Sequence, residues 1–173
     1  MVDLQAQPTF GPGGLVNVIV EASRGTTVKS SYDKDLGLFV FGRPLPHGLH
    51  YPYDWGFIPS TKGEDGDPLD AMVLHDAACP VGCLVRCQPV AMLKIRQREK
   101  GKSARNDRLL FRPGTDQAMK EQNMLTARIK RELEQFFQSA IMGTGKTLIL
   151  DGWRGPKEVV AAVRKGARAG ESD

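Results

Sequence analysis

The sequence holds only three cysteines, Cys79, Cys83 and Cys87, spaced four residues apart. An odd number cannot close a full disulfide framework, and there is no Cys-x-x-Cys pair of the kind that holds structural zinc. Two of the three fall in a strand-like run, so they read as small buried thiols. No apolar run approaches the roughly 20 residues of a membrane span. Residues 1–10 also lack the basic start and apolar stretch of a signal peptide. A soluble, cytoplasmic protein with no membrane partner is therefore expected. Aromatic residues make up 7% of the chain, and none lies between Lys94 and Leu110. That stretch has no platform on which bases could stack, so a nucleic-acid partner is not expected. Repeats, linkers and low-complexity segments are missing too. The 173 residues suit one domain, residues 1–173, with flexible ends at 1–14 and 170–173. His47, His50 and His75 are scattered around an acidic stretch and receive no role.

The net charge of +4 is unevenly placed. Lys94, Arg96, Arg98, Lys100, Lys102, Arg105, Arg108 and Arg112 follow one another, opposed only by Glu99 and Asp107. Such a run suits a solvated hairpin or loop. It equally suits a phosphate-facing surface, because Arg and Lys form charge-assisted hydrogen bonds with phosphate oxygens.

Asp65-Gly66-Asp67-Pro68-Leu69-Asp70 is the most informative segment. Asp-Gly and Asp-Pro are ordinary turn dipeptides, and a solvated acidic turn would account for them. Three carboxylates so close together also repel one another unless a cation neutralises them. A hard divalent cation such as Mg²⁺ seeks a compact set of oxygen donors of this kind.

The surrounding pattern is mainly β with flanking helices. Leu15 to Ala22, Thr26 to Tyr32 and Gly37 to Phe41 read as strands. Pro44 to Pro59 reads as an ordered aromatic and proline-rich loop. Leu69 to Leu74 is a short apolar run. Cys83 to Ile95 is a long strand, with Pro89 implying a bulge or an edge. Leu109 to Phe111 is its expected hairpin partner, and Lys146 to Leu150 a possible further strand. Apolar residues at helical spacing mark one helix over Thr115 to Ser139 and another over Lys157 to Ala167. Closely spaced strands followed by helices point to a small closed or partly closed barrel with two helices packed against it.

The order of residues around this turn resembles the soluble family I inorganic pyrophosphatases. The stretch Val18-Ile19-Val20-Glu21 carries the resemblance, followed by Lys29, Gly37, Arg43, Tyr51-Pro52 and Asp54-Trp55-Gly56-Phe57-Ile58-Pro59. The Asp-Gly-Asp-Pro-x-Asp element is its specific part. It continues through Val85 to Val90 and ends near Gly152-Trp153. The resemblance implies a five-stranded OB-like barrel with two C-terminal helices. It also implies Mg²⁺-dependent hydrolysis of pyrophosphate to two phosphates, with Mn²⁺ as another usable ion, and a homo-oligomer. By position, Asp65 and Asp70 would ligate metal and Glu21 would sit in an outer metal shell. Asp67 would take the proton of the attacking water. Lys29, Arg43 and Tyr51 would meet phosphate oxygens.

Part of the family pattern is altered. Ser31 stands where a carboxylate is usual, and Trp55 where an aromatic hydroxyl is usual. The metal positions of the later loop fall near Gln97 and at Asn106, and a substrate lysine falls at Arg108. A Tyr-Lys pair is replaced by Ala140 and Ile141. Fewer carboxylates should hold fewer ions, or hold them more loosely, with cations replacing part of their charge. Two alternatives share the scaffold: a hydrolase of another phosphoric anhydride, such as a nucleotide or polyphosphate, and a non-catalytic binder of phosphate or polyanions.

Overall fold

The computed structural model describes residues 2–114 and 125–170. Nine strands and two helices follow a short 3-10 turn at Pro12–Gly14. The strands are β1 (Val16–Ala22), β2 (Val28–Asp33), β3 (Leu38–Pro44), β4 (Asp54–Ile58), β5 (Leu69–Val73), β6 (Leu84–Glu99), β7 (Lys102–Arg105), β8 (Arg108–Pro113) and β9 (Thr147–Arg154). The helices are α1 (Ala127–Ala140) and α2 (Pro156–Gly170).

Five strands close on themselves in the order β1–β4–β5–β8–β6, and β6 returns to β1. This is the expected small OB-like barrel, and closure leaves its strands without free edges. Only the β5–β8 contact is parallel, with Ala71 opposite Leu109 and Val73 opposite Phe111. The remaining ring contacts are antiparallel. β2 and β3 form a separate hairpin. The far end of β6 runs beyond the ring and pairs with β7 on one side and β9 on the other.

Three sequence expectations need correction. The stretch 44–59 is not all loop, because it contains β4, every residue of which is buried. A strand buried on both faces loses the alternation that marks a half-exposed one. At Gly56 a Cβ would stand 1.8 Å from the Ile19 carbonyl oxygen, so β4 approaches β1 at a distance only glycine allows. The hairpin partner of β6 is β7 rather than β8. The turn between them is two residues long, and Lys100 and Gly101 both have positive φ, 48° and 77°. β8 then rejoins β6 lower in the ring, with the anticipated bulge between Pro89 and Ala91. Lastly, α1 begins at Ala127, where the Thr126 hydroxyl accepts from the Ile129 N–H. Of the longer helix expected from Thr115, residues 115–124 lie outside the described residues.

Each helix buries one face. Leu133, Phe136 and Phe137 of α1 join Tyr51, Trp55, Leu93 and Leu110 in one core cluster. Val159 and Val163 of α2 join Val18, Ile58, Val73 and Leu109 in another. Among the described residues, no helix is long and apolar enough to cross a membrane.

Candidate active site

The acidic turn is built by its backbone. Gly63 N–H donates to the Asp67 carbonyl at 2.8 Å, and Asp67 N–H donates to Asp65 Oδ1 at 3.3 Å. Gly66 supplies the positive φ of 91° that the bend requires. Helix α2 fixes the turn from below. Lys62 N–H donates to the Gly166 carbonyl at 3.0 Å, and a Cβ on Gly166 would stand 2.6 Å from Leu69 Cδ1. Asp65 and Asp67 are exposed, and Asp70, the second residue of β5, is partly buried.

The structure brings the predicted residues to one place. Glu21 near the end of β1 feels the charges of Asp70, Lys29 and Asp67. Lys29 on β2 lies in the field of Asp70, Arg108 and Arg43, and Tyr51 in that of Asp70, Arg43, Glu21 and Arg108. A cleft of about 360 Å³ beside the turn is lined by Asp65, Asp70, Asn106 and Asp107 together with residues of α2, while Glu21, Lys29, Arg43 and Tyr51 lie outside it. Arg108, the first residue of β8, is buried and donates from Nη1 to both Asp70 Oδ2 and Asn106 Oδ1. Its guanidinium lies 5.3 Å from the Trp55 ring centroid and 5.8 Å from that of Phe137. Trp55 therefore offers a face to a cation at the position where a hydroxyl was expected. Arg43 Nη2 donates to the Ala140 carbonyl at the last turn of α1, where helix carbonyls lack intrahelical donors.

Charge crowding is visible in the proton affinities. Burial, reinforced by Asp70 and Asp67, pushes Glu21 up to about 7, against the lowering effect of the Tyr32 N–H and Lys29. Burial also raises Asp70, opposed by Arg108 and Lys29, and raises Asp65, with Asp67 and Asp70 adding to it. Burial and the Asp70 charge raise the Tyr51 phenol, which stays protonated. Burial and mutual repulsion raise Glu21, Asp65 and Asp70 despite the nearby cations, which is the setting a hard cation relieves.

The altered positions have definite places. Asp107 does not line up as a spare ligand: its carboxylate accepts from the Ile95 N–H at 2.8 Å and pairs with Arg105 at 3.4 Å. Gln97 sits near the far end of β6, opposite Ala104 on one side and Leu148 on the other. Ser31 is exposed on β2. Much of the basic run is occupied structurally. Arg96 and Arg105 both reach Asp151, at 3.0 and 3.5 Å, and Arg105 N–H donates to Glu64 at 3.3 Å.

Two features were not foreseen. Lys146, just before β9, adds a positive charge near Lys29 and pairs with Glu99 at 3.4 Å. Only the β6–β9 register, which sets Arg98 opposite Thr147, carries it there. His75 was given no role, yet its Nε2 is 2.7 Å from Oδ2 of the fully buried Asp54. Of the thiols, Cys87 alone is buried, whereas Cys79 and Cys83 are partly exposed.

Comparison with known proteins follows the same outline. The family profile described as inorganic pyrophosphatase matches residues 18–170. The inorganic pyrophosphatase of Synechocystis sp. is 33% identical over 167 residues, covering 95% of this chain and 96% of that protein. That of Thermus thermophilus is 34% identical over 153 residues, with 87% of each chain covered. A crystal structure of inorganic pyrophosphatase from Thermus thermophilus superposes with a TM-score of 0.88 at 30% identity, covering 98% of this chain and 99% of that one.

Proposed function

The chain belongs to the inorganic pyrophosphatase family, and from this we propose that it hydrolyses pyrophosphate to two phosphates beside the acidic turn. The family is generally divalent-metal dependent. One observation supports the reading: the charges of Glu21, Asp65, Asp67 and Asp70 act on one another and on Lys29, and Arg43 and Arg108 act in the same neighbourhood. The oxygen-only donor set and its raised proton affinities fit a hard ion, which we take to be Mg²⁺. When bound, that metal supplies the positive charge that makes water nucleophilic near neutral pH.

The protein's own residues do the rest. Asp65 and Asp70, with Glu21 behind them and Asn106 at the cleft wall, hold the ion. Asp67, exposed at the tip of the turn, accepts the proton of the attacking water. Lys29 and Arg43 take phosphate oxygens, and the protonated Tyr51 donates a hydrogen bond. Arg108 supplies a fixed positive charge, and its Nε has no protein acceptor among the described residues. Cationic donors held in place before reaction stabilise charge that develops on phosphoryl oxygens. Three free thiols are consistent with a reducing, cytoplasmic setting.

A longer polyanion as substrate is less well supported, because Asp151 and Asp107 already engage the Arg96 and Arg105 side chains of the basic run. The test is phosphate release with millimolar Mg²⁺ from pyrophosphate, nucleoside triphosphates and polyphosphate. Release from pyrophosphate should dominate. No release above a blank with any divalent metal would discard the proposal.

A further inference from the structure

We propose that Asp54, His75 and Cys79 form a second metal site, separate from the hydrolytic cleft, that takes a thiolate-binding transition metal of the zinc type. The three residues come from different elements: the start of β4, the residue just beyond Leu74 at the exit of β5, and the loop leading to β6. One ligand atom from each lies within 4.8 Å of the other two. Tetrahedral zinc with bonds of about 2.0–2.3 Å needs its ligand atoms roughly 3.5 Å apart, so side-chain rotations alone can close the set.

The donor chemistry selects the ion. Imidazole, thiolate and carboxylate are zinc's own ligand types, whereas Mg²⁺ and Ca²⁺ avoid sulfur. The oxygen-only cleft and this mixed site therefore discriminate between metals. The carboxylate of Asp54 is also oriented from outside. Its Oδ1 accepts from the Arg24 N–H at 2.7 Å and its Oδ2 from the Cys79 N–H at 2.9 Å. Such outer hydrogen bonds fix a ligand's direction. Cys79 is held in turn, because its carbonyl accepts from the Ser23 hydroxyl. The Cys83 thiol also interacts with that of Cys79.

Without a metal, the set is closed by hydrogens: the His75 Nε2–H donates to the Asp54 carboxylate, and burial beside that carboxylate keeps the Cys79 thiol protonated. Binding releases the thiol proton to solvent and leaves the single ring hydrogen of His75 on Nδ1, so that the Nε2 lone pair and the thiolate both face the ion. Asp76, Ala77 and Ala78 are exposed, so the ion can enter through the loop. A bound ion would fasten that loop to β4, whose next residue, Trp55, lies against Arg108.

The probe is Co²⁺, added to reduced, chelator-stripped full-length protein in excess Mg²⁺. We expect one equivalent to give thiolate-to-cobalt charge transfer in the near ultraviolet and intense visible bands of tetrahedral cobalt, and Zn²⁺ to erase both. Cys79→Ser should remove the charge-transfer band, and His75→Ala should weaken binding at least tenfold. Cys87→Ala should keep the wild-type spectrum. A second measurement does not depend on variants folding: X-ray absorption of the zinc-loaded wild type should show sulfur at about 2.3 Å. A weak octahedral cobalt spectrum, or a zinc shell of oxygen and nitrogen alone, overturns the proposal. Neither readout involves phosphate release, so this site and the hydrolytic reading fail separately.

Discussion

Arg108 donates from one nitrogen to both Asp70 and Asn106, so a guanidinium stands between two residues that would otherwise face a metal. The side chain cannot lose its charge, and it lies against Trp55 and Phe137 rather than in open water. It therefore offsets part of the Asp70 charge at every pH, and a metal held by Asp70 would share that carboxylate with it.

The consequence for catalysis has two parts that move in opposite directions. Arg108→Gln should lower kcat/KM for pyrophosphate about 10²–10³-fold, the usual cost of losing one well-placed donor. It should also lower the Mg²⁺ concentration needed for half-maximal activity, because a competing cation is gone. A steady-state Mg²⁺ titration reads both. A variant that needs more Mg²⁺ would show that Arg108 assists the metal rather than competing with it.

Asp67 has a simpler part. It is exposed, and its backbone rather than its carboxylate shapes the turn. Asp67→Asn should abolish turnover while the melting temperature stays within about 2 °C of wild type. An undiminished rate would remove Asp67 from the proton transfer.

The pH dependence of stability follows from Glu21. Its folded value, about 7, lies above its ordinary 4.5. Protonated Glu21 therefore favours the native state below about pH 4.5, and this contribution disappears as the pH rises through 7. Asp65 and Asp70, also raised, act in the same direction. Metal-free protein should melt at progressively lower temperature between pH 5 and 8, and Glu21→Gln should flatten the slope. Millimolar Mg²⁺ should do likewise in the wild type. Differential scanning calorimetry at a series of pH values is the check; a wild-type slope of opposite sign would refute the assignment.

Gly56 tests the barrel itself. Gly56→Ala would drive a methyl group into the Ile19 carbonyl. The cost should reach or exceed the ~3 kcal/mol upper end of ordinary overpacking. Urea denaturation reports it as a lowered midpoint, and a midpoint near wild type would mean that β1 and β4 separate easily.

The parts of this architecture that sequence reasoning found are those written in contiguous residues. The β-branched run of β1 and the three aspartates of the turn needed no knowledge of distant partners. β4 escaped because burial on both faces erased its alternation and the stretch around it is rich in aromatics and proline. Lys146 and the Asp54–His75 pair escaped for another reason: each depends on strand pairings, and spacing along the chain does not encode them. Trp55 was legible only as a lost hydroxyl. Its use as a lid over Arg108 depends on β8 lying next but one to β4, across β5.

The parallel register of β5 and β8 has a bearing on how this chain can change. Asp70 and Arg108 each precede a paired residue, Ala71 and Leu109, so their separation is set by interstrand hydrogen bonds in the barrel wall. The β6–β7 turn projects from the far end of β6 and plays no part in that spacing. Insertions or deletions there would alter the outline of the molecule yet leave the Asp70 carboxylate and the Arg108 guanidinium facing each other.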